Sequence, residues 1–135
     1  MSSKIFVNLT VKDLKKSVEF FTRLGYSFNP QFTDESATCM IISENIFAML
    51  LLEERFKEFT KKPISDAHKS TEVLIALDVE SKEAVDEMVK NAVAAGGTVY
   101  NEAMDHGWMY VHSFADLDGH QWEFAYMNES AIPQQ

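Results

Sequence analysis

Two stretches of the chain repeat the same order of elements, a β-strand followed by a helix that ends at glycine. "KIFVNLTVKDLKKSVEFFTRLGY" begins with a β-rich run, after which Asp13 can cap a helix that Gly25 ends. "TEVLIALDVESKEAVDEMVKNAVAAGG" repeats this order, with Ser81 as the cap and Gly96 and Gly97 as the end. A repeat of this kind constrains the chain to a fold built from two copies of one unit.

Apolar side chains recur at helical spacing within both predicted helices, which we expect near residues 13 to 24 and 81 to 95. The predicted buried stripes are Leu14, Val18, Phe21 and Leu24 in the first helix and Val85, Met88, Val89 and Ala92 in the second.

Short strand-like runs bounded by turn residues follow each predicted helix. They are "YSFNPQFTD", "ATCMIIS" and "IFAMLLLEE" in the first half and "TVYNEA", "WMYVHSF" and "HQWEFAYM" in the second. The pattern predicts an α+β fold of two βαβββ modules in a single domain over residues 1–135. Module 1 covers about 1–54, a linker about 55–69, and module 2 about 70–127.

A four-stranded sheet that carries a helix on one face leaves its other face free. Two such curved mixed sheets are expected to form a cup, and a concave apolar surface of this kind is where a small molecule would sit. The sequence leaves open whether one chain or a pair of chains builds each cup.

The net charge of −9 lies entirely in the second half of the chain. Residues 1–68 carry nine basic and nine acidic side chains, whereas residues 69–135 carry three and twelve. Such a field repels nucleic acids and anionic membranes and attracts cations, so we expect neither nucleic acid nor membrane as a partner. Two interpretations stay open, a solvated acidic surface or a cup that prefers a cationic ligand.

The location of the protein is expected to be cytoplasmic. The N-terminal segment has no apolar run long enough for a signal peptide, and the longest apolar run, residues 46–52, is far shorter than the ~20 residues that cross a bilayer. The only cysteine, Cys39, excludes an internal disulfide and fits a reducing compartment.

The segments "VKDLKKSVEFFTRLGY" and "DLDGHQWE" resemble the glyoxalase, bleomycin-resistance and extradiol-dioxygenase superfamily, also called vicinal oxygen chelate proteins. The blocks "KIFVNLTVKDL", "FNPQFTDE", "KSTEVLIAL" and "DHGWMYVHSFADLDGHQWE" are similar to a bacterial branch labelled predicted lactoylglutathione lyases. The resemblance covers nearly the whole chain. It implies the paired βαβββ fold and, because modules commonly pair between chains in this superfamily, a homodimer.

Metal-dependent members of the superfamily take one ligand from each of four strands. The resemblance places these positions at Phe6, on or beside Met49, at Leu74 and at Glu123. Three apolar side chains cannot hold Zn, Ni or Fe, which need roughly three or more N, O or S donors. We therefore expect no standard metal site and no cofactor; a divalent metal at a non-standard site is the less favoured alternative.

Strand alternation adds neighbours two residues away to the same wall of the cup. The resulting ligand-binding candidates are Phe6, Asn8, Phe47, Met49, Leu51, Glu72, Leu74, Ser113 and Gln121. In the strand "WMYVHSF" either Tyr110 and His112 or Met109 and Ser113 face inward, and this choice stays open.

Three functions are compatible with these residues. The favoured one is binding of a small organic ligand in an apolar cup without a metal. The second is a lyase or isomerase related to lactoylglutathione lyase, with Glu123 as general base and His112 or Tyr110 as an acid or oxyanion partner. The third, the standard metal-dependent lactoylglutathione lyase, is disfavoured by the missing ligands. Whether the protein is an enzyme at all stays open.

Overall fold

The first unit of the structure is a four-stranded mixed sheet with a helix on one face. The structure is a computed structural model, which describes residues 1–133. The chain forms two compact units, Met1–Asp66 and Ala67–Gln135. In the first unit, β1 (Ile5–Val11) pairs in parallel with β4 (Ile46–Leu52), and β3 (Ala37–Ile41) and β2 (Ser27–Asn29) follow in antiparallel order. A short helix, α2 (Glu53–Phe56), follows β4.

Helix α1 (Leu14–Arg23) begins where the sequence predicts it. The Asp13 side chain accepts a hydrogen bond from the Lys16 backbone N–H at 3.1 Å, and Gly25 follows the helix at φ +103°. Its buried stripe differs from the prediction. Ser17, Phe20, Phe21 and Leu24 are buried, whereas Leu14 and Val18 are only half-buried. The buried set has the regular i, i+3, i+4, i+7 spacing, and its one polar member, Ser17, conceals that pattern in the sequence.

The second unit repeats the same topology. Strand β5 (Leu74–Asp78) pairs in parallel with β8 (Gln121–Met127), which pairs antiparallel with β7 (Met109–Ala115) and then β6 (Met104–Asp105). Helix α3 (Lys82–Ala94) contacts β7 and β8. The predicted α+β fold of two βαβββ modules is therefore confirmed. Of the predicted stripe, Val85, Val89 and Ala92 are buried, and Met88 is half-buried.

One predicted strand is misplaced. Within "TVYNEA" only Thr98 forms a bridge, to Ala115, and the next paired residue is Met104, opposite Val111. Five residues, 99–103, therefore lie opposite three, 112–114. The extra length arches away from β7, as in a bulge, because a regular ladder needs equal numbers of residues on both strands.

The Asp116 side chain holds the turn between β7 and β8. The buried Asp116 carboxylate accepts hydrogen bonds from the backbone N–H groups of Asp118 and His120, at 2.9 and 3.0 Å, and from Trp122 Nε1 at 3.0 Å. Burial raises the pKa of Asp116, and the His120 charge together with the hydrogen bonds from Trp122 and Asp118 offsets part of that effect. Within residues 1–133, no helix has the length and apolar character needed to cross a membrane.

Gly119→Ala is expected to destabilise the protein by about 3 kcal/mol, because a Cβ there would lie 2.8 Å from the backbone of Ala67 and His68. Gly107→Ala is the matched control: Gly107 has φ +83° against +87° at Gly119, but nothing lies within 4 Å of its Cβ position. The control variant should lose only the ~1–2 kcal/mol of unfolding free energy that a left-handed backbone costs a residue with a Cβ. Urea unfolding measures the free energy of unfolding of both variants. Equal losses of stability would contradict the close approach of Gly119 to the backbone of Ala67 and His68.

Candidate functional site

In the first unit, the face of the sheet opposite the buried Leu9 and Leu50 carries five predicted ligand-binding residues. The register pairs β1 with β4 residue by residue, and paired side chains project to the same face. The shared face of Phe6, Asn8, Phe47, Met49 and Leu51 is therefore confirmed, and the Phe6 and Phe47 rings stack at 4.8 Å. Their role in binding stays a prediction.

A pocket of about 260 Å³ opens on this face. Part of its wall is apolar, and part carries amide, hydroxyl, carboxylate and guanidinium groups. Two aromatic side chains at the pocket, Phe32 and Phe59, are 57% and 69% exposed. The lining residues are Asn8, Gln31, Phe32, Thr33, Asp34, Ala37, Met49, Leu51, Arg55 and Phe59.

Arg55 supplies the positive charge of this pocket. Its Nη1 lies 3.5 Å from Asp34 Oδ2 and 3.4 Å from Ser36 Oγ, which are long hydrogen-bond distances. Its Nε is buried and has no hydrogen-bond partner among residues 1–133. Asp34 is held more firmly, since its Oδ1 accepts from the Ser36 N–H at 2.8 Å and from Ser36 Oγ at 3.0 Å. These two hydrogen bonds, with a smaller effect of Arg55, lower the pKa of Asp34.

In the second unit, one face of the sheet brings together four predicted residues. Leu74 pairs with Gln121, and Glu123 lies opposite Ser113 on one side and Ala76 on the other. Of the two alternatives for β7, the register supports the one in which Met109 and Ser113 share the face of Glu123. Glu72 precedes β5 and is exposed, so strand alternation does not fix the direction of its side chain.

The structure does not bring Tyr110 or His112 to Glu123. They pair with Tyr126 and Phe124, whose side chains project from the opposite face. Tyr110 Oη donates instead to Asp86 Oδ1 of α3 at 2.6 Å, and this hydrogen bond, with burial and the nearby acidic charges, raises the pKa of Tyr110 to about 12. The predicted partnership of these two residues with Glu123 is corrected accordingly.

Sequence reasoning missed Tyr100, which lies in the arch opposite β7. Its Oη is buried without a hydrogen-bond partner among the described residues. Burial raises the pKa of Tyr100, and the nearby Glu123 carboxylate raises this pKa further. The Ser113 hydroxyl lowers the pKa of Tyr100, although its contact with Tyr100 Oη falls short of a hydrogen bond. Counting from the Thr98–Ala115 bridge places Tyr100 opposite Ser113. The sequence does not show this neighbourhood, because it does not show the bridge.

Comparisons with known proteins agree with this geometry. Residues 4–43 match the model of the bleomycin resistance protein-like N-terminal family. A hypothetical protein from S. aureus is 31% identical over 93% of this chain and 95% of its own, with a TM-score of 0.79. The family-model match supports the resemblance of the chain to the glyoxalase/bleomycin resistance/dioxygenase superfamily.

Two further solved structures share the fold. A glyoxalase/bleomycin resistance protein/dioxygenase family enzyme from Burkholderia phytofirmans is 18% identical, with 90% of this chain and 96% of that chain covered and a TM-score of 0.75. A fosfomycin resistance protein from Listeria monocytogenes is 20% identical, with 93% of both chains covered and a TM-score of 0.68. No curated protein matches the chain.

The metal centre of metal-dependent superfamily members does not fit the side chains present here. Phe6 and Leu74 have no donor atom, and Met49 offers only a soft thioether, so Glu123 is the one carboxylate at the four positions. Among residues 1–133, no three His, Cys, Asp or Glu side chains are grouped as metal ligands would be. That the protein binds no metal stays a prediction, and so does the less favoured alternative of a metal at another site.

Glu123→Gln is expected to lower the pKa of Tyr100, because the carboxylate charge that raises this pKa is removed. Ser113→Ala should raise it, because the hydroxyl that lowers it is lost. Carbon-13 NMR titration of labelled tyrosine rings measures both shifts. Glu102→Gln removes a carboxylate from the same arch and should leave the pKa of Tyr100 unchanged. A Glu123→Gln variant with the parent titration would mean that the two side chains do not interact.

Proposed function

We propose that this protein binds a small organic molecule in the pocket of its first unit and does so without the standard metal site of its superfamily. The observation that carries the proposal is the pocket of about 260 Å³, which is lined by Asn8, Met49 and Leu51. This volume is just below the roughly 300–1,000 Å³ of typical ligand pockets, so the ligand is small.

The exposed aromatic side chains support this proposal. Phe32 and Phe59 stand 57% and 69% exposed beside a partly apolar hollow. A ligand that covers them removes apolar surface from water, a gain of about 25 cal/mol per Å². The names of the family model and of the Listeria relative refer to bleomycin and fosfomycin resistance, which favours small molecules as the ligand class.

The proposal also includes a cytoplasmic homodimer with neither nucleic acid nor membrane as a partner. Exposed apolar side chains on the sheet faces, Phe6 at 48% and Leu74 at 50%, are surface that a second copy could cover. The excess of acidic residues after position 68 disfavours polyanionic partners.

Phe59→Ala is expected to weaken binding of a neutral probe, 3-phenylpropionamide, by about tenfold, which corresponds to about 1.4 kcal/mol. The unfolding free energy should change by less than about 0.5 kcal/mol, because this side chain is 69% exposed. Nitrogen-15 NMR titration gives the affinity and shows whether backbone signals of the pocket shift. Val93→Ala, at a 48% exposed position of α3, is the control and should bind like the parent. Shifts confined to other residues would sink the proposal.

The alternative is a lyase or isomerase with Glu123 as general base. The observation that favours it is the buried Tyr100 hydroxyl, which has no hydrogen-bond partner among the described residues. Burial raises the pKa of Tyr100, and the Glu123 carboxylate adds to this effect. Tyr100 would then be the acid partner, in place of Tyr110 or His112.

Turnover of the hemithioacetal of glutathione and methylglyoxal separates the two functions. A binding protein is expected to show no rate above that of buffer, with or without added Zn²⁺ or Ni²⁺. Turnover that falls at least a hundredfold in Glu123→Gln, and persists in Glu102→Gln, would establish the alternative, since general-base catalysis contributes about 10²–10⁴-fold.

A further inference from the structure

We propose that the pocket of the first unit selects a small carboxylate with an apolar body, and that the Arg55 guanidinium binds the carboxylate. This inference rests on the proposed function, because it names the chemical class of the ligand for the same pocket. It departs from the cationic ligand that the overall charge suggests.

The guanidinium of Arg55 has hydrogen-bond donors that the protein does not use. An arginine presents five N–H groups in a planar fork that matches a carboxylate. Here Nη1 makes only long contacts, 3.4 Å to Ser36 Oγ and 3.5 Å to Asp34 Oδ2. The buried Nε donates to no acceptor within residues 1–133, since Glu58 Oε2 is 4.0 Å away. The Nε atom is closed to solvent, so a ligand carboxylate would reach the guanidinium through its exposed part, where the long Nη1 contacts leave donor capacity.

The neighbouring carboxylates do not occupy this site. Asp34 directs its Oδ1 to the backbone and hydroxyl of Ser36 and meets Arg55 only through Oδ2. The Asp34 and Glu58 side chains are 55% and 66% exposed, and exposed ion pairs are weak because water and salt screen them. Arg55 itself is less exposed, at 37%. A ligand carboxylate can therefore replace or share these contacts without leaving a buried charge unpaired.

The rest of the pocket suits an apolar group attached to the carboxylate. Met49 and Leu51 line it from β4, and Ala37 lines it from β3. The exposed rings of Phe32 and Phe59 add aromatic surface. The unit around the pocket is electrically neutral, because residues 1–68 carry nine basic and nine acidic side chains, so its own net charge does not repel an anion.

Three probes of one shape test the charge preference: 3-phenylpropionate, neutral 3-phenylpropionamide and cationic 3-phenylpropylamine. Nitrogen-15 NMR titrations are expected to show the carboxylate binding at least tenfold more tightly than the amide, with signals of the pocket residues shifting. The amine should bind most weakly of the three.

Variants then assign the preference to Arg55. Arg55→Met should bind carboxylate and amide equally, and Arg55→Lys, which keeps the charge without the fork, should keep only part of the preference. Lys57→Met removes the same charge from an exposed position two residues further along and is the matched control; it should retain the full preference. If Arg55→Met does not fold, the parent and Arg55→Lys titrations still decide the question.

The outcomes separate this inference from the proposed function. Equal binding of carboxylate and amide by the parent, or a preference that survives Arg55→Met, overturns the role of Arg55 and leaves the pocket as a neutral site. Preference for the amine overturns it in favour of a cationic ligand. Failure of all three probes to shift pocket signals overturns both.

Discussion

The parallel pairing of the first and last strands of each unit decides which side chains can meet. In the first unit it sets Asn8 beside Met49, and in the second it sets Ala76 beside Glu123. A parallel pair cannot be closed by a tight turn, so the chain must cross over through a helix and two more strands before it returns. A slip of one residue would turn every side chain of β1 or β5 to the other face. The pocket and the surroundings of Glu123 both depend on this register.

The helix and the candidate sites use opposite faces of each sheet. In the first unit Leu9 and Leu50, at 5% and 0% exposed, project to one face, whereas Phe6 on the other face is 48% exposed. In the second unit Trp122 and Phe124 are 1% exposed, while Glu123 between them projects to the opposite face. The closely packed faces supply the hydrophobic stabilisation. Exposed side chains on the opposite faces, such as Phe6 and Leu74, can therefore be changed at little cost in folding free energy, whereas Leu51 and Ser113, at 3% and 4% exposed, are packed.

The sequence was sufficient for the fold and for one face of each sheet, because strand alternation and helix capping are local rules. Asp13 and Ser81 do cap the two helices, and Phe6, Asn8 and Met49 do share a face. It was insufficient where distant segments meet. The arch of residues 99–103 depends on its register with β7, so Tyr100 went unnoticed. Arg55 was assigned to a linker, because nothing local shows that α2 sets its guanidinium beside Asp34. Whether Ser113 or His112 of β7 shares the face of Glu123 could be decided only from the observed pairing of β7 with β8.

Net charge and local geometry point to opposite ligands, and distance decides between them. The charge of −9 comes entirely from residues 69–135, whereas Arg55 lines the pocket of the first unit. At physiological ionic strength exposed charges more than about 8 Å apart are largely screened, so the acidic excess acts mainly on the rate of encounter. A hydrogen bond between a guanidinium and a carboxylate is short-ranged and is shielded less in a partly buried pocket. Local geometry therefore governs which ligand stays bound, and the acidic surface governs only how often an anion arrives.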